Sequence, residues 1–168
     1  MREYFANRYF SLTIIWQNHL IRKIELGPGA GHFCSGSGVA PYSPKIASAM
    51  KCYEHQKSFV WPQPPLDWSL INSYFQKNVL KTLLDTVPFG KTISYGQLAR
   101  LCGSPGAARA VGRVMSANPW PVIIPCHRVI SAGKGLGGFS SGLDLKKTLL
   151  ELESRFFTQA VANLPDND

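Results

Sequence analysis

Two mostly apolar runs near the N-terminus are rich in β-branched and aromatic residues. They cover residues 10–16 and 20–26, and only Gln17, Asn18 and His19 separate them. Runs of this composition joined by a short polar link are typical of an antiparallel hairpin. The pattern therefore predicts a β-hairpin, followed by a glycine-containing loop over residues 27–37 and a helix over residues 44–56.

A proline-rich segment separates this part from the rest of the chain. Residues 60–66 read Val-Trp-Pro-Gln-Pro-Pro-Leu, and proline fixes φ and lacks the N–H that a helix needs. We expect an extended connector with a domain boundary near it. The predicted division is an N-terminal domain over residues 1–66, a C-terminal domain over residues 67–157 and a flexible polar tail over residues 158–168.

Helical spacing of apolar residues begins after the connector. Asn72 or Ser73 is placed to cap a helix that ends at Pro88. Its apolar face consists of Phe75, Val79, Leu80, Leu83 and Leu84. A last helix is expected to start at Asp144 after the glycine-rich residues 133–142, with Leu145, Leu149 and Leu152 on its core side. Glu153 falls near its predicted C-terminal end, where the helix dipole disfavours a carboxylate, so we expect Glu153 to have a partner.

Two short helices are predicted between these elements. Ser94 and Gln97 form a capping-box pattern for the first, whose apolar side is Leu98, Leu101 and Cys102. Ser104 and Pro105 suit the N-cap and the first position of the second helix. This helix is predicted to contain residues 107–115 and to end before Asn118-Pro119. Two short helices around a glycine-containing turn predict a helix-turn-helix.

The charge distribution favours an anionic partner. The chain has 18 Lys and Arg against 10 Asp and Glu, and residues 86–143 contain no acid. That stretch holds Lys91, Arg100, Arg109, Arg113, Arg128 and Lys134. Solvated faces normally mix both signs of charge, so a segment of one sign is typical of a surface that faces phosphates.

The second helix of the pair has small residues that allow close approach to another surface. These are Ala107, Ala108, Ala110 and Gly112. Tight packing on another helix and docking on nucleic acid both explain them. Arg109 and Arg113 lie four residues apart on one helical face, which favours DNA.

Cys126 stands between an apolar run and His127. Such a thiol is either inert packing or a protected nucleophile, and the neighbouring histidine can take its proton. No two of the four cysteines have the C-x-x-C spacing of a redox pair, and no arginine closes a phosphatase-type loop after Cys126. No signal peptide or membrane span is apparent, and we expect a cytoplasmic protein with reduced thiols.

Taken together, residues 75–153 resemble the O6-alkylguanine-DNA alkyltransferases, also called methylated-DNA–protein-cysteine methyltransferases. The resemblance rests on residues 87–99, residues 107–112, Asn118-Pro119, the Ile-Pro-Cys-His-Arg-Val run at 124–129, and Leu149-Leu150 with Glu153. It implies an α+β fold, with a small RNase H-like N-terminal domain that has an antiparallel sheet. The C-terminal domain would be mainly helical and winged-helix-like.

The resemblance also implies the chemistry. Cys126 would accept the alkyl group permanently, in a stoichiometric transfer without a metal or other cofactor. His127 would act through a bound water as its base, Glu153 would orient His127, and Asn118 would hold the active-site turn.

For the DNA, the resemblance implies a monomer that binds the minor groove of a duplex and flips out O6-alkylguanine or O4-alkylthymine. Arg109 would enter the helix stack. Tyr95, Val129, Phe139 and Ser140 would contact the base. The other expected DNA-binding residues are Ala107, Ala108, Ala110, Gly112, Arg113, Arg128, Ser94 and Thr92.

Two positions depart from the family pattern. Phe139 stands where many members have tyrosine, so it keeps a ring and lacks the hydroxyl, and Ser141 replaces a frequent glycine or tryptophan. Two rival interpretations remain at this point. One is a DNA-binding damage sensor in which Cys126 only packs. The other adds a structural zinc site formed by His32, Cys34, Cys52 and His55.

Overall fold

An antiparallel sheet forms the N-terminal part of the computed structural model. The structure describes residues 1–32, 38, 40–55, 57–133 and 135–162, the last eight by their backbone alone. Strands β1 (Arg2–Ala6), β2 (Phe10–Gln17) and β3 (Leu20–Pro28) lie in the order β1-β2-β3. The predicted hairpin is confirmed as β2 and β3. Asn18 and His19 at its tip both have positive φ, 49° and 62°, which a tight two-residue hairpin turn requires.

Helix α1 (Ser43–Glu54) packs against β1 and confirms the helix predicted over residues 44–56 to within two residues. Pro44 lies in its first turn, where a missing N–H costs nothing. The buried face of α1 includes Ile46, Met50 and Tyr53. Strand β1 was not predicted, because its alternation is short and half of its face is polar.

The proline-rich connector contains no helix, although Gln63 within it has a φ of +43°, and its C-terminal end pairs with the sheet. The amide of Ile21 donates to the carbonyl of Pro65 at 2.7 Å, and the amide of Asp67 donates to the carbonyl of Ile21 at 3.1 Å. A short 3-10 helix, Trp68–Leu70, follows. The hydrophobic core is continuous across the predicted boundary, since residues of both halves belong to one buried cluster.

The second half contains α2 (Tyr74–Thr86), β4 (Ile93–Ser94), α3 (Tyr95–Leu101), α4 (Ala108–Ser116), β5 (Val129–Ile130) and α5 (Leu143–Ala162). A 3-10 turn, Cys126–Arg128, precedes β5, which pairs in parallel with β4. Helices α3 and α4 pack together as the predicted helix-turn-helix. The mixed α/β class is therefore confirmed. No helix in the described ranges is long and apolar enough to cross a membrane.

Local capping chemistry was predicted correctly at two helices. Ser73 accepts the amide of Gln76 at the start of α2. The capping box of α3 is complete. Ser94 Oγ accepts a hydrogen bond from the backbone amide of Gln97 at 3.1 Å, and Gln97 Oε1 accepts one from the backbone amide of Ser94 at 2.9 Å.

Three sequence predictions differ from the structure. Ser104 and Pro105 do not start α4, which begins at Ala108 because Gly106 has a φ of +88° that no helix continues through. Leu101 is 58% exposed and does not belong to the apolar side of α3. Helix α5 runs to Ala162, so Glu153 lies in its middle and the helix enters the segment predicted as a tail. Residues 163–168 lie outside the described part.

Candidate active site

A stiff turn presents Cys126. The side-chain amide of Asn118 donates to the carbonyl of Ile124 at 2.9 Å, and its oxygen accepts the amide of Trp120 at 3.0 Å. Val122 within this turn is buried and has a φ of +72°. A β-branched residue in that region costs about 1–3 kcal/mol and persists only where the surroundings fix it. Asn118 thus holds the turn, as the resemblance implied.

Cys126 is buried, with 4% of the residue exposed. Burial raises the pKa of this thiol, and a hydrogen bond from Asn118 and the charge of Lys146 only partly oppose that effect. The resting group is therefore a neutral thiol. Because the thiolate is the nucleophilic form, a base would have to remove this proton for Cys126 to act as a nucleophile.

His127 is fully buried beside Cys126, and its Nε2 lies 2.8 Å from Oε1 of Glu153. Burial lowers the pKa of His127, although Glu153 acts in the opposite direction. The imidazole is therefore neutral near pH 7. A carboxylate only accepts, so the proton resides on Nε2 and Nδ1 carries a lone pair. Nδ1 is buried without a hydrogen-bond partner among the described residues, which leaves it available to accept a proton.

Arg128 holds the other side of the same carboxylate. Its Nε and Nη2 donate to the two oxygens of Glu153 at 2.8 and 3.0 Å, and its Nη1 donates to the carbonyl of Val87 at 2.8 Å. The side chain is 7% exposed. The prediction that Arg128 binds DNA is therefore wrong, because its guanidinium is buried and committed to Glu153.

Glu153 receives two further donors, the hydroxyl of Tyr53 at 2.8 Å and the amide of Gly90 at 3.2 Å. Burial opposes its ionisation, but His127 and Arg128 outweigh that effect and lower the pKa of Glu153 to about 2. The expectation that Glu153 has a partner is confirmed. The reason is its buried position in mid-helix, and not the helix dipole.

Tyr95 packs on the glycine-rich loop that follows Cys126. Its hydroxyl lies 3.4 Å from the carbonyl of Gly138, and the ring packs on Gly137, where a Cβ would come within 2.8 Å of the hydroxyl oxygen. Burial, and then the nearby Cys126, raise the pKa of Tyr95. The hydroxyl therefore stays protonated and can donate.

Lys146 was missed by the sequence reasoning. It is fully buried, and its Nζ donates to the carbonyls of Val129 at 2.6 Å and Gly138 at 3.3 Å. Val129 was expected to contact the base. One lone pair of its carbonyl oxygen already accepts a hydrogen bond from Lys146. The signal was present, because Lys146 shares the face of α5 that carries Leu149 and Glu153.

A groove of about 700 Å³ runs between α4 and the glycine-rich loop. Tyr95, Arg109 and Gly137 are among the residues that line it. The other lining residues are Ala108, Gly112, Arg113, Ser116, Ala117, Ser131 and Gly138. Arg109 and Arg113 are exposed there. The structure therefore brings the predicted base-contacting tyrosine and the predicted DNA-binding helix to one surface.

The remaining predicted site residues are not among those that line this groove. Ala107 and Ala110 of the α4 region are half-buried, and Thr92 is exposed. Ser94 is half-buried, and its hydroxyl caps α3. The ring of Phe139 lies 5.9 Å from Nζ of Lys146. Ser140 is exposed and lines an adjoining groove with Ser141.

The suggested zinc site is only partly described. His32 and His55 are exposed, Cys52 is half-buried and Cys34 lies outside the described residues. Among the residues that the structure does describe, no three histidine, cysteine or acidic side chains are grouped to hold a metal ion.

Comparison with known proteins identifies the family. The family model described as 6-O-methylguanine DNA methyltransferase, DNA binding domain, matches residues 74–155. The crystal structure of Mycobacterium tuberculosis OGT in complex with DNA is similar at a TM-score of 0.69 and 33% identity, over 87% of this chain and 88% of that chain. The chain belongs to the O6-methylguanine-DNA methyltransferase family.

A second crystal structure from the same organism and a curated relative agree with this. The crystal structure of Mycobacterium tuberculosis O6-methylguanine methyltransferase is similar at a TM-score of 0.68 and 30% identity, over 92% of this chain and 94% of that chain. The methylated-DNA–protein-cysteine methyltransferase of Mycolicibacterium paratuberculosis is 49% identical over 90 residues, which is 54% of either protein. The chain thus spans about half the length of this curated relative.

Proposed function

We propose that this protein repairs alkylated DNA by direct reversal, moving an alkyl group from O6 of guanine to Sγ of Cys126. The arrangement behind the thiol carries this proposal. Cys126 is buried and protonated next to a neutral His127, and Glu153 orients that histidine through a 2.8 Å hydrogen bond. A thiol that only packs needs no such base.

The reaction balances with the groups of this site. Sγ attacks the alkyl carbon, an S–C bond forms and the bond from that carbon to O6 breaks. The thiol proton passes to Nδ1 of His127 through a bridging water. The guanine leaves with an extra electron pair and takes a proton from the hydroxyl of Tyr95, which is later reprotonated from solvent. A thioether has no easy route back, so each molecule acts once.

The alkyl carbon lies inside a duplex, so the base must be flipped out first, at a cost of a few kcal/mol. We propose that α4 lies in the minor groove, where its small residues allow close approach to the backbone. Arg109 would fill the space that the base leaves, and Arg113 would contact phosphate. The exposure of both arginines beside the Tyr95 groove supports this arrangement. O4-alkylthymine is a second candidate substrate with the same chemistry.

Intact mass tests the proposal. The protein is mixed with a duplex that holds one O6-methylguanine, beside a Cys126→Ala variant and an undamaged duplex. We expect one methyl group per molecule, mapped to Cys126 and absent from both controls. Clear DNA binding with an unchanged mass would instead support a damage sensor without chemistry.

A further inference from the structure

One residue of the N-terminal half reaches the carboxylate that orients His127. Tyr53 lies in the last turn of α1, one hundred residues before Glu153, and its hydroxyl donates to Oε1 of Glu153 at 2.8 Å. That oxygen also accepts a hydrogen bond from Nε2 of His127. Tyr53 lies outside residues 74–155, which match the family model.

Packing fixes the position of this hydroxyl. The ring of Tyr53 is 1% exposed and meets Phe10 of β2 edge-on, with centroids 5.2 Å apart. On another side it meets Phe89, which follows α2, with centroids 5.3 Å apart. The hydroxyl is therefore held between the two halves of the chain.

We propose that Tyr53 is a positioning residue for alkyl transfer, which fixes the carboxylate of Glu153 and, through it, the imidazole of His127. This inference rests on the proposed function. It makes the sheet and α1 part of the active site, in addition to the C-terminal region that carries the motifs.

The hydroxyl also affects the charge that His127 experiences. Among the described residues, the charged or titratable groups around His127 include Cys126, Glu153, Arg128 and Lys146, and Tyr53 acts through Glu153. Burial and the charge of Glu153 raise the pKa of Tyr53 well above its usual value, so Tyr53 remains a donor. A donor to the carboxylate takes up part of its negative charge. Without that donor, Glu153 stabilises protonated His127 more strongly, and the histidine becomes a poorer base at low pH.

The test compares Tyr53→Phe with Tyr42→Phe. Tyr42 occupies the N-cap position at the opposite end of α1 and is also buried, and its hydroxyl donates to the carbonyl of Pro62 at 3.1 Å. Both changes remove one hydroxyl and keep the ring. The readouts are the single-turnover rate of methyl transfer from pH 5 to 9, the Kd for undamaged duplex, the free energy of unfolding, and the NMR titration of the His127 imidazole.

We expect Tyr53→Phe to fold, to bind DNA like the wild type and to transfer methyl about tenfold more slowly at pH 6, with a smaller loss at pH 8. The acid limb of its rate profile and the His127 titration should move to higher pH. Tyr42→Phe should lower the free energy of unfolding and leave the transfer rate and the His127 titration unchanged. Equal pH profiles for the two variants and the wild type would overturn the inference.

The titration separates this inference from the proposed function. If the wild type transfers no methyl group, the proposed function fails and the rate comparison disappears. An upward shift of the His127 titration in Tyr53→Phe would still support the positioning of the histidine by Tyr53. An unmoved titration would overturn it.

Discussion

The indole Nε1 of Trp120 donates a 2.8 Å hydrogen bond to the carbonyl oxygen of Ile21. This bond joins the active-site turn to strand β3. The amide of Ile24 donates to the carbonyl of Pro119 at 2.8 Å in the same region, and the ring of Trp120 packs on Trp68 with centroids 4.9 Å apart. The edge of the N-terminal sheet therefore supports the strained turn from outside the helical half.

The worth of this bond can be measured with Trp120→Phe and Trp16→Phe. Both tryptophans are buried, but Nε1 of Trp16 has no hydrogen-bond partner in the part of the chain that the structure describes. The two variants lose similar volume, and only Trp120→Phe loses a hydrogen bond. We expect it to lose about 1–2 kcal/mol more of the free energy of unfolding than Trp16→Phe does. Urea denaturation measures this, and equal losses would show that the bond contributes nothing.

A second prediction separates two arginines that look alike in the sequence. Arg128→Met should lower the free energy of unfolding by about 3–5 kcal/mol, because it leaves the buried Glu153 without its cation. Arg113→Met, on the exposed face of α4, should leave stability within about 0.5 kcal/mol. Arg113→Met should instead weaken DNA binding and reduce by about 1 the slope of the logarithm of the binding constant against the logarithm of salt concentration. Denaturation and a salt titration of the Kd test both parts, and a stable Arg128→Met that has lost only DNA affinity would contradict them.

Local chemistry made several features predictable. The caps at Ser73 and Ser94 depend on side chains within three residues, and the hairpin depends on composition and a short link. The motif around Cys126 and His127 pointed to the proposed nucleophile and its proposed base. Each of these signals lies within a few positions of the residue that it concerns.

Features that depend on distant partners were not predictable in this way. Arg128 is a cation that its local sequence places on the surface. It is buried because Glu153 and the carbonyl of Val87, 25 and 41 residues away along the chain, accept its hydrogen bonds. Tyr53 gave no signal at all, since its partner lies one hundred residues away.

A third prediction concerns the glycines beside Tyr95. Gly137 has a φ of +68°, and an added Cβ would lie 2.8 Å from the tyrosine hydroxyl, whereas a Cβ on Gly138 meets nothing within 4 Å. Gly137→Ala should therefore displace Tyr95 and cost about 1 kcal/mol of stability from backbone strain. It should slow methyl transfer at least tenfold, because the proton donor moves. Gly138→Ala should have little effect on either quantity. Single-turnover rates and denaturation of the pair provide the test, and matching rates would mean that Tyr95 does not act in transfer.

The last prediction concerns pH and Glu153. Its pKa of about 2 in the folded protein lies below its ordinary value of 4.5. A carboxyl group with a lowered pKa contributes stability that is complete above pH 4.5 and is lost as pH falls toward 2. The difference corresponds to about 3 kcal/mol.

We expect the free energy of unfolding to fall steeply below pH 4.5 in the wild type and equally in Glu151→Gln, because Glu151 is exposed on the same helix. The Glu153→Gln variant should have a lower free energy of unfolding than the wild type at pH 7. That free energy should decrease less between pH 4.5 and 2.5 than it does in the wild type. Denaturation at each pH measures the three curves. Parallel curves for Glu153→Gln and the wild type would show that Glu153 does not carry this dependence, and that the donors around it hold the carboxylate no better than water does.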